Sequence, residues 1–238
     1  MVLPGGVVNA ASGATGGVAP GTLVSVWGYA LGPPEPVASE IPQRRLADVE
    51  IWFGSRPALL TYVSNMLVRA LVPFSITGER ETTVGGRYRD RMSGNVRVPV
   101  LPADPGVFTA DASGVGPASA LNEDGTVNGA GNPAPRGSVV TLYVTGLGET
   151  DPPSTDGGWP ATPEPPKPQL PWRVRLAGHL VPADHLVSAV MDAPGIWPVR
   201  FFVPGDTPVD RPAEVVVEVE CAPAEPCKSQ PGVTLAVR

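Results

Sequence analysis

A twelve-residue segment of the sequence occurs twice, half a chain apart. Residues 21–32, GTLVSVWGYALG, align without a gap with residues 137–148, GSVVTLYVTGLG, at a spacing of 116 positions. In both copies apolar residues alternate with others between two glycines, which is the pattern of a half-buried β-strand that ends in a turn. The repeat predicts that the chain of 238 residues contains two copies of one strand-rich unit.

The similarity extends beyond this segment. Residues 49–73 contain a strand, a glycine turn, a Pro-Ala pair, an apolar run ending in Val-Ser and a strand closing on Val-Pro, and residues 174–204 repeat this order. Two copies in one order predict two like domains in tandem. Short alternating strands with turns between them are typical of a β-sandwich, and a half of about 110 to 125 residues fits one immunoglobulin-like unit.

Glycine and proline restrict the fold in the same direction. The 28 glycines and 31 prolines separate short apolar runs and do not form tracts. Because proline is excluded from helix interiors and glycine favours tight turns, such a chain forms short strands more readily than long helices. We therefore predict an all-β fold of two tandem immunoglobulin-like β-sandwich domains.

The predicted domain boundary lies in residues 108–120, FTADASGVGPASA, which are small, rich in glycine and without apolar periodicity. This boundary gives a first domain of residues 1–110 and a second of residues 111–238. The second domain includes the Pro-rich segment 149–171, which we predict to be a long, stiff loop anchored by Trp159.

Composition argues against several classes of partner. The chain has 17 basic and 23 acidic residues, a net charge of −6, whereas a nucleic-acid-binding protein needs a clustered basic face. The basic segment 87–92, RYRDRM, is predicted to be a solvated hairpin tip. No run approaches the ~20 apolar residues of a membrane span, and residues 1–17 lack the features of a signal peptide.

The two cysteines, Cys221 and Cys227, flank five residues at an apparent hairpin tip. This spacing favours a small disulfide loop, and hence an oxidising compartment, over two free thiols. It excludes a CxxC redox motif, and a metal site would need more ligands than these cysteines and two histidines far away in the sequence.

Several segments resemble a known family. VVNAASGATGGVAPGTLVSVWGYALG, ALLTYVS, VPVLPADPGVFT and ALNEDGTVNGAGNPAPRGSVVTLYVTGLG are similar to the uncharacterised Solibacter-type C-terminal domain family of secreted acidobacterial proteins. The resemblance covers nearly the whole chain, and residues 132–148 are its most specific part. It implies an extracellular module with immunoglobulin-like units of the IPT/TIG sort, and no reaction. The segment YVSNMLVRALVP, the longer basic loop RYRDRMSG and the Cys221–Cys227 loop depart from the family pattern.

The best candidate for a metal site is residues 122–128, NEDGTVN. The oxygens of Asn122, Asp124 and Asn128 alternate around a glycine as in a weak Ca²⁺ loop, but flanking helices and a distal bidentate glutamate are missing. A hairpin with an Asp-Gly turn explains the same residues. We therefore predict no metal and no cofactor.

A catalytic site would depend on His185, which could be grouped with Ser188 and Asp192 into a hydrolase triad on a sandwich scaffold. The surrounding sequence contains no nucleophile elbow and no other catalytic motif. We therefore predict that the protein is not an enzyme.

The predicted function is that of a non-enzymatic extracellular or cell-surface module acting in adhesion, as a spacer or in a surface assembly, with an unidentified protein or glycan partner. The alternative is a carbohydrate-binding module. Trp159, Trp172 and Trp197 each adjoin a proline at a segment edge, so partial exposure is expected, and an exposed indole can stack on a sugar. Pro99 and the glutamates of residues 217–220, VEVE, are predicted to protect strand edges, so we expect a monomer in isolation.

Overall fold

The computed structural model of the chain describes residues 1–156, 165–191, 193–222 and 225–238. The fold is all-β as predicted, with 49% of residues in strands and 3% in helices. The helical residues form two short 3-10 turns, Phe74–Ile76 and Ala183–His185. Within the described ranges no helix has the length and apolar character needed to cross a membrane.

The first part of the chain forms ten strands. They are β1 (Val2–Asn9), β2 (Leu23–Gly28), β3 (Val37–Gln43), β4 (Val49–Phe53), β5 (Arg56–Pro57), β6 (Leu59–Val63), β7 (Leu67–Leu71), β8 (Glu81–Tyr88), β9 (Arg91–Met92) and β10 (Val96–Pro99). They make two sheets, with the strand orders β1-β2-β7-β6-β3 and β10-β8-β4-β5, and β9 pairs with β8.

The second part forms two larger sheets and a small one. Its strands are β11 (Gly106–Val107), β12 (Gly116–Pro117), β13 (Ala120–Leu121), β14 (Val139–Thr145), β15 (Thr150–Asp151), β16 (Lys167–Pro168), β17 (Trp172–Leu176), β18 (His179–Leu180), β19 (Leu186–Ala189), β20 (Trp197–Phe202), β21 (Ala213–Val219), β22 (Cys227–Lys228) and β23 (Val233–Leu235). The strand orders are β11-β14-β20-β19, with β13 also on β14, and β12-β23-β21-β17-β18, with β22 on β21. β15 and β16 pair separately.

Each pair of large sheets contributes to one cluster of buried hydrophobic side chains. Val24 and Val26 of β2 join Phe53 of β4 in the first cluster, and Leu142 of β14 joins Val217 of β21 in the second. Residues two apart in a strand face the same way, so the alternation in the sequence supplies these buried rows. The arrangement is consistent with β-sandwich packing.

The glutamates of residues 217–220 do not protect a strand edge, and that prediction was wrong. β21 lies inside its sheet, between β23 and β17. Glu218 is 4% exposed, with its carboxylate 2.8 Å from Arg175 Nε and 3.6 Å from Lys228 Nζ. Val215, Val217 and Val219 of this strand enter the core, and Glu218 faces outward among cations. Pro99 does lie in an edge strand, β10.

The first cluster of buried residues ends at Val100 and the second begins at Ala103. β11 pairs with β14, and Thr109 makes a bridge to Ala118. The glycine-rich segment predicted as a linker is therefore attached to the second group of sheets. The division into residues 1–110 and 111–238 stays a prediction.

Candidate functional site

The two groups of sheets meet where the outer face of β2 and β7 contacts the end of β14 and the turn before β20. Leu23 and Leu71 face away from the first cluster, yet they are only 6% and 7% exposed. Gly195 lies against both, since a Cβ placed on it would be 2.6 Å from Leu71 Cδ1 and 3.4 Å from Leu23 Cβ. Apolar surface that faces outward from one sheet is therefore covered by the other part of the chain. We call this contact the junction.

Hydrogen bonds also cross the junction. The Leu23 N–H donates to Thr145 Oγ1 at 2.9 Å. Asn9 Nδ2 donates to the Asp104 carbonyl oxygen at 2.7 Å and to the Asp104 carboxylate at 3.1 Å, while Asn9 Oδ1 accepts from the Ala11 N–H at 2.9 Å. Because Asn9 is fully buried, these bonds satisfy a side chain that would otherwise be costly to bury.

The Asp104 carboxyl is a titratable group of the junction. Burial raises the pKa of Asp104 from 3.8 to about 6, and the hydrogen bond from Asn9 offsets part of that rise. Gly106 lies close to the Asn9 side chain, since a Cβ on Gly106 would be 2.4 Å from Asn9 Oδ1. The position of the Asn9 amide is therefore restricted. The loss of water around the Asp104 carboxylate raises its pKa by more than the one hydrogen bond from this amide lowers it.

Phe74 links the first part of the chain to the second core. It opens the 3-10 turn after β7, and its side chain packs against the second cluster. Gly21 lies beside the ring, has a φ of +70°, and could carry a Cβ only at 2.4 Å from Phe74 Cζ. Beyond the ring, Ser75 donates its N–H to the Asp156 carboxylate at 3.0 Å, and its hydroxyl donates to the same group.

Two neighbouring clefts of about 240 and 270 Å³ lie along the junction and share Thr77 and Glu149. Clefts between packed units are common places for small ligands to bind. The Thr150 hydroxyl in the first cleft is engaged, however, because Thr150 Oγ1 donates to the Pro152 carbonyl and accepts from the Ser154 N–H at 2.7 Å. These polar groups hold the loop in place, so the arrangement is suited to joining two units.

The candidate calcium ligands are occupied by hydrogen bonds. Asn128 Nδ2 donates to Asn122 Oδ1 at 2.9 Å, and Asn128 Oδ1 accepts from the Ala236 N–H at 3.0 Å. The side-chain and backbone bonds from Thr126 lower the pKa of Asp124. The two buried asparagines therefore fasten this loop to the chain after β23. Among the described residues, no three His, Cys, Asp or Glu side chains are grouped so that they could hold a metal ion.

The candidate tryptophans do not form an exposed row in the described part of the chain. Trp197 is 1% exposed and belongs to the second cluster, so the expectation of partial exposure was wrong for this residue. Its side chain shares the face of β20 that also buries Val199 and Phe201. Trp172 is half-buried against the same cluster, and Trp159 lies outside the described residues. Trp27 is 41% exposed instead.

The structure describes two residues of the candidate triad, His185 and Ser188. Asp192 lies outside the described residues. The His185 ring packs edge-on against Phe202 with centroids 6.2 Å apart, and its Nδ1 has no hydrogen-bond partner among the described groups. A catalytic histidine needs a group that holds this nitrogen. Ser188 lies in the neighbouring strand β19.

The cysteines are joined. Cys221, at the end of β21, and Cys227, in β22, form a disulfide with their Cα atoms 5.7 Å apart. A disulfide is compatible with an extracellular location, because such bonds persist in oxidising compartments.

The fold and the junction define the chain as an all-β protein whose two groups of antiparallel sheets are held by a packed and hydrogen-bonded contact. No protein-family model matches the sequence, and no curated protein is significantly similar to it.

Proposed function

We propose that the chain is a non-enzymatic extracellular module of two tandem immunoglobulin-like sandwiches, and that it acts as a rigid spacer in a cell-surface assembly. The junction is the observation that carries this proposal. A flexible tether needs few contacts between its units, whereas here Leu23, Leu71 and Phe74 are covered and the buried Asn9 bonds Asp104. Apolar side chains buried between two units limit their relative motion.

Strand order supports the tandem arrangement. In the first half, β2-β7-β6 in one sheet and β10-β8-β4-β5 in the other have the counterparts β14-β20-β19 and β23-β21-β17-β18 in the second half. The strands also follow one another along the chain in the same sequence. A duplicated sandwich accounts for both the order along the chain and the order in space.

Backbone hydrogen bonds support the same correspondence. The Gly21 N–H donates to the Val72 carbonyl at 3.0 Å, and the Gly137 N–H donates to the Val203 carbonyl at 2.8 Å. The two donors are 116 positions apart, which is the spacing of the sequence repeat. In each case the acceptor follows directly after the strand paired with the repeated segment.

A pair of parallel bridges adds to this support. Val18 bridges to Val100 at the end of the first half, and Ala134 bridges to Val237 at the end of the second. Val18 and Ala134 are again 116 positions apart. The extracellular part of the proposal is supported by the Cys221–Cys227 disulfide and by the resemblance to the Solibacter-type family.

Small-angle X-ray scattering of dilute protein tests the rigid spacer. The wild type is expected to fit one rigid shape. Leu71→Glu combined with Phe74→Ala places a charge in the junction, so this variant is expected to have a larger maximum dimension and a broader distance distribution. Ile41→Ala, a control in β3 at a residue 76% exposed, is expected to scatter like the wild type.

Circular dichroism shows whether each variant keeps its strand content. Wild-type scattering that requires many relative orientations of the two halves rules out the rigid spacer. So does a folded junction variant with unchanged scattering, because the junction then does not set the orientation.

The carbohydrate-binding module stays the alternative prediction, and among the described candidates it depends on the half-buried Trp172. A glycan array with wild-type protein and Trp172→Ala tests it. Binding that the substitution removes favours this alternative, and no binding to any polysaccharide argues against it.

A further inference from the structure

The junction joins two different surfaces. One is the outer face of β2 and β7 around Leu23 and Leu71, which we call the face. The other is the end of β14 together with the turn before β20, at Thr145, Gly146 and Gly195, which we call the tip. If the halves are tandem copies, as proposed above, each half has one face and one tip. The junction uses the first face and the second tip.

The second face is partly exposed, and it carries Arg200 beside its apolar residues. Leu23 pairs with Leu71 across β2 and β7, and Val139 pairs with Phe202 across β14 and β20, so the two pairs are equivalent in register. Leu71 is 7% exposed, whereas Phe202 is 38% exposed and Val139 is half-buried. The surface that the junction covers in the first half is therefore only partly covered in the second, where the His185 ring lies edge-on to Phe202.

A backbone donor on the second face has only a weak partner. The Leu23 N–H bonds Thr145 Oγ1 across the junction at 2.9 Å. The equivalent Val139 N–H reaches the exposed Glu123 carboxylate at 3.4 Å, which is long for such a bond. This donor is available to a better acceptor.

The first tip is apolar and exposed. The repeat spacing places Tyr29 and Ala30 at the positions of Thr145 and Gly146. Tyr29 is 58% exposed.

The turn before β7, residues 64–66, takes the place of the turn before β20 but is shorter. Four residues lie between the paired Val63 and Val68, and nine lie between the paired Ala189 and Val199. The contact that Gly195 makes in the junction therefore belongs to the longer turn.

Met66 in the shorter turn is 50% exposed, and its carbonyl accepts the Gly28 N–H at 3.0 Å, which holds the turn beside the end of β2. Trp27 adjoins them and is 41% exposed. Three large apolar side chains thus remain uncovered on one tip, and such patches often mark interaction sites.

We propose that the first tip of one copy of this chain docks on the second face of another copy, so that the protein self-associates head to tail. This proposal rests on the tandem arrangement proposed above. The occupant is a second copy because the first face, which is equivalent in register to the second, is already covered by an apolar contact from this same chain. A head-to-tail contact need not close on itself, so assemblies larger than dimers are expected.

Charge favours the same partner. Arg91 lies in a cleft beside Ala30 of the first tip, and Glu123 lies beside Val139 on the second face. Both charged residues are exposed. Opposite charges near the two docking surfaces favour encounter between copies, and added salt should weaken it. The sequence predicts a monomer in isolation, whereas this proposal predicts self-association, and sedimentation velocity distinguishes the two.

Sedimentation velocity over a concentration series from micromolar to millimolar tests the proposal. The wild type is expected to sediment faster as its concentration rises. Tyr29→Asp blocks the tip, Phe202→Asp blocks the face, and each is expected to weaken self-association by about tenfold or more. Ile41→Asp, with the same change on an exposed side chain in β3, is expected to associate like the wild type.

Mixing the two blocked variants distinguishes a head-to-tail contact from a symmetric one. Tyr29→Asp keeps its face and Phe202→Asp keeps its tip, so the mixture is expected to form a complex of one copy of each and nothing larger. A symmetric contact through either surface would give no such complex.

Three results overturn the proposal: a wild type that stays monomeric throughout, blocked variants that associate like the wild type, or a mixture without the paired complex. Circular dichroism and thermal unfolding show whether the variants are folded, and Tyr29→Ser and Phe202→Ser provide milder changes if they are not. Scattering from dilute monomer tests the rigid spacer separately, so the two proposals can fail independently.

Discussion

Replacing Asp104 with asparagine removes a titratable group of the junction while keeping its shape. In the wild type, Asn9 Nδ2 donates to the Asp104 carboxylate at 3.1 Å, and the oxygen of an asparagine amide can accept the same bond. The substitution therefore changes the charge of a site that burial makes unfavourable for a carboxylate. Its effect on stability should depend on pH.

The direction follows from the pKa of Asp104, which is about 6 in the folded chain against an ordinary value of 3.8. The folded state binds the proton more tightly than the unfolded state, so stability contributed by the protonated group is lost as pH rises from about 4 to about 6. A difference of about two pKa units corresponds to about 3 kcal/mol. Asp104 is only half-buried, and screening by solvent reduces its effect on stability. We therefore expect a difference in stability of about 1 to 3 kcal/mol.

Urea unfolding followed by tryptophan fluorescence measures this difference. Asp104→Asn and the wild type are expected to be equally stable at about pH 4, and the variant is expected to be more stable by about 1 to 3 kcal/mol at about pH 8. All other carboxyl groups titrate in both proteins, so the difference isolates Asp104.

Asp111→Asn provides a control of opposite sign, because the side-chain and backbone hydrogen bonds from Ser113 lower the pKa of Asp111. That variant is expected to lose stability at neutral pH and not at strongly acid pH. The reasoning is refuted if Asp104→Asn changes stability equally at all pH values, or if it is less stable than the wild type at about pH 8.

Three further predictions concern the repeat, the asparagine network and the disulfide. Gly137→Ala adds a Cβ at a φ of +78° with no atom within 4 Å, so it should reduce stability by about 1 kcal/mol. Gly21→Ala should reduce stability by about 2 kcal/mol more, because its Cβ meets the Phe74 ring. Equal losses of stability in thermal unfolding would contradict this. Asn128→Ala should reduce stability by about 2 kcal/mol, since the Asn128 side chain bonds both the N–H and the carbonyl oxygen of Ala236. Added Ca²⁺ should leave the wild-type melting temperature unchanged. Cys221→Ser with Cys227→Ser should lower stability by about 2 kcal/mol through loss of the small closed loop, and an unchanged melting temperature would exclude a stabilising role for the disulfide.

Strand alternation predicted the buried rows because it is a local property of the sequence. Val24 and Val26 are fully buried, as their spacing requires. The junction was not predictable in this way. Leu23 and Leu71 lie on the outer face of their sheet, where alternation places exposed residues, and they are buried only because a turn from the other part of the chain covers them.

Charge alternation was misleading for a related reason. The glutamates of residues 217–220 suggested a protected edge, but Glu218 lies in the middle of a sheet beside Arg175. Whether a strand is central or at an edge depends on its partners, and a strand carries the same alternating pattern in either position. Arg175 lies in β17, 43 positions earlier in the chain.

Two asparagines at equivalent positions explain why the junction should be permanent and contact between copies reversible. Val7 pairs with Val26 in the first half, and Ala120 pairs with the equivalent Leu142 in the second. Asn9 and Asn122 each lie two residues after the paired residue, so they occupy equivalent positions. Both are buried, but Asn9 donates across the junction to Asp104, whereas Asn122 donates within its own loop, to Asn132.

Asn9 of β1, beside the first face, thus contributes a polar bond to the junction that Asn122 cannot form without breaking a bond of its own. A second copy docked on the second face gains the apolar contact of Phe202 and the Val139 N–H, and lacks the buried amide bond. A net difference of one buried hydrogen bond is about 1 kcal/mol. In addition, contact between copies must overcome the loss of free translation and rotation, which the junction within one chain avoids. The junction within the chain is therefore expected to be permanent, and the contact between copies is expected to be exchangeable.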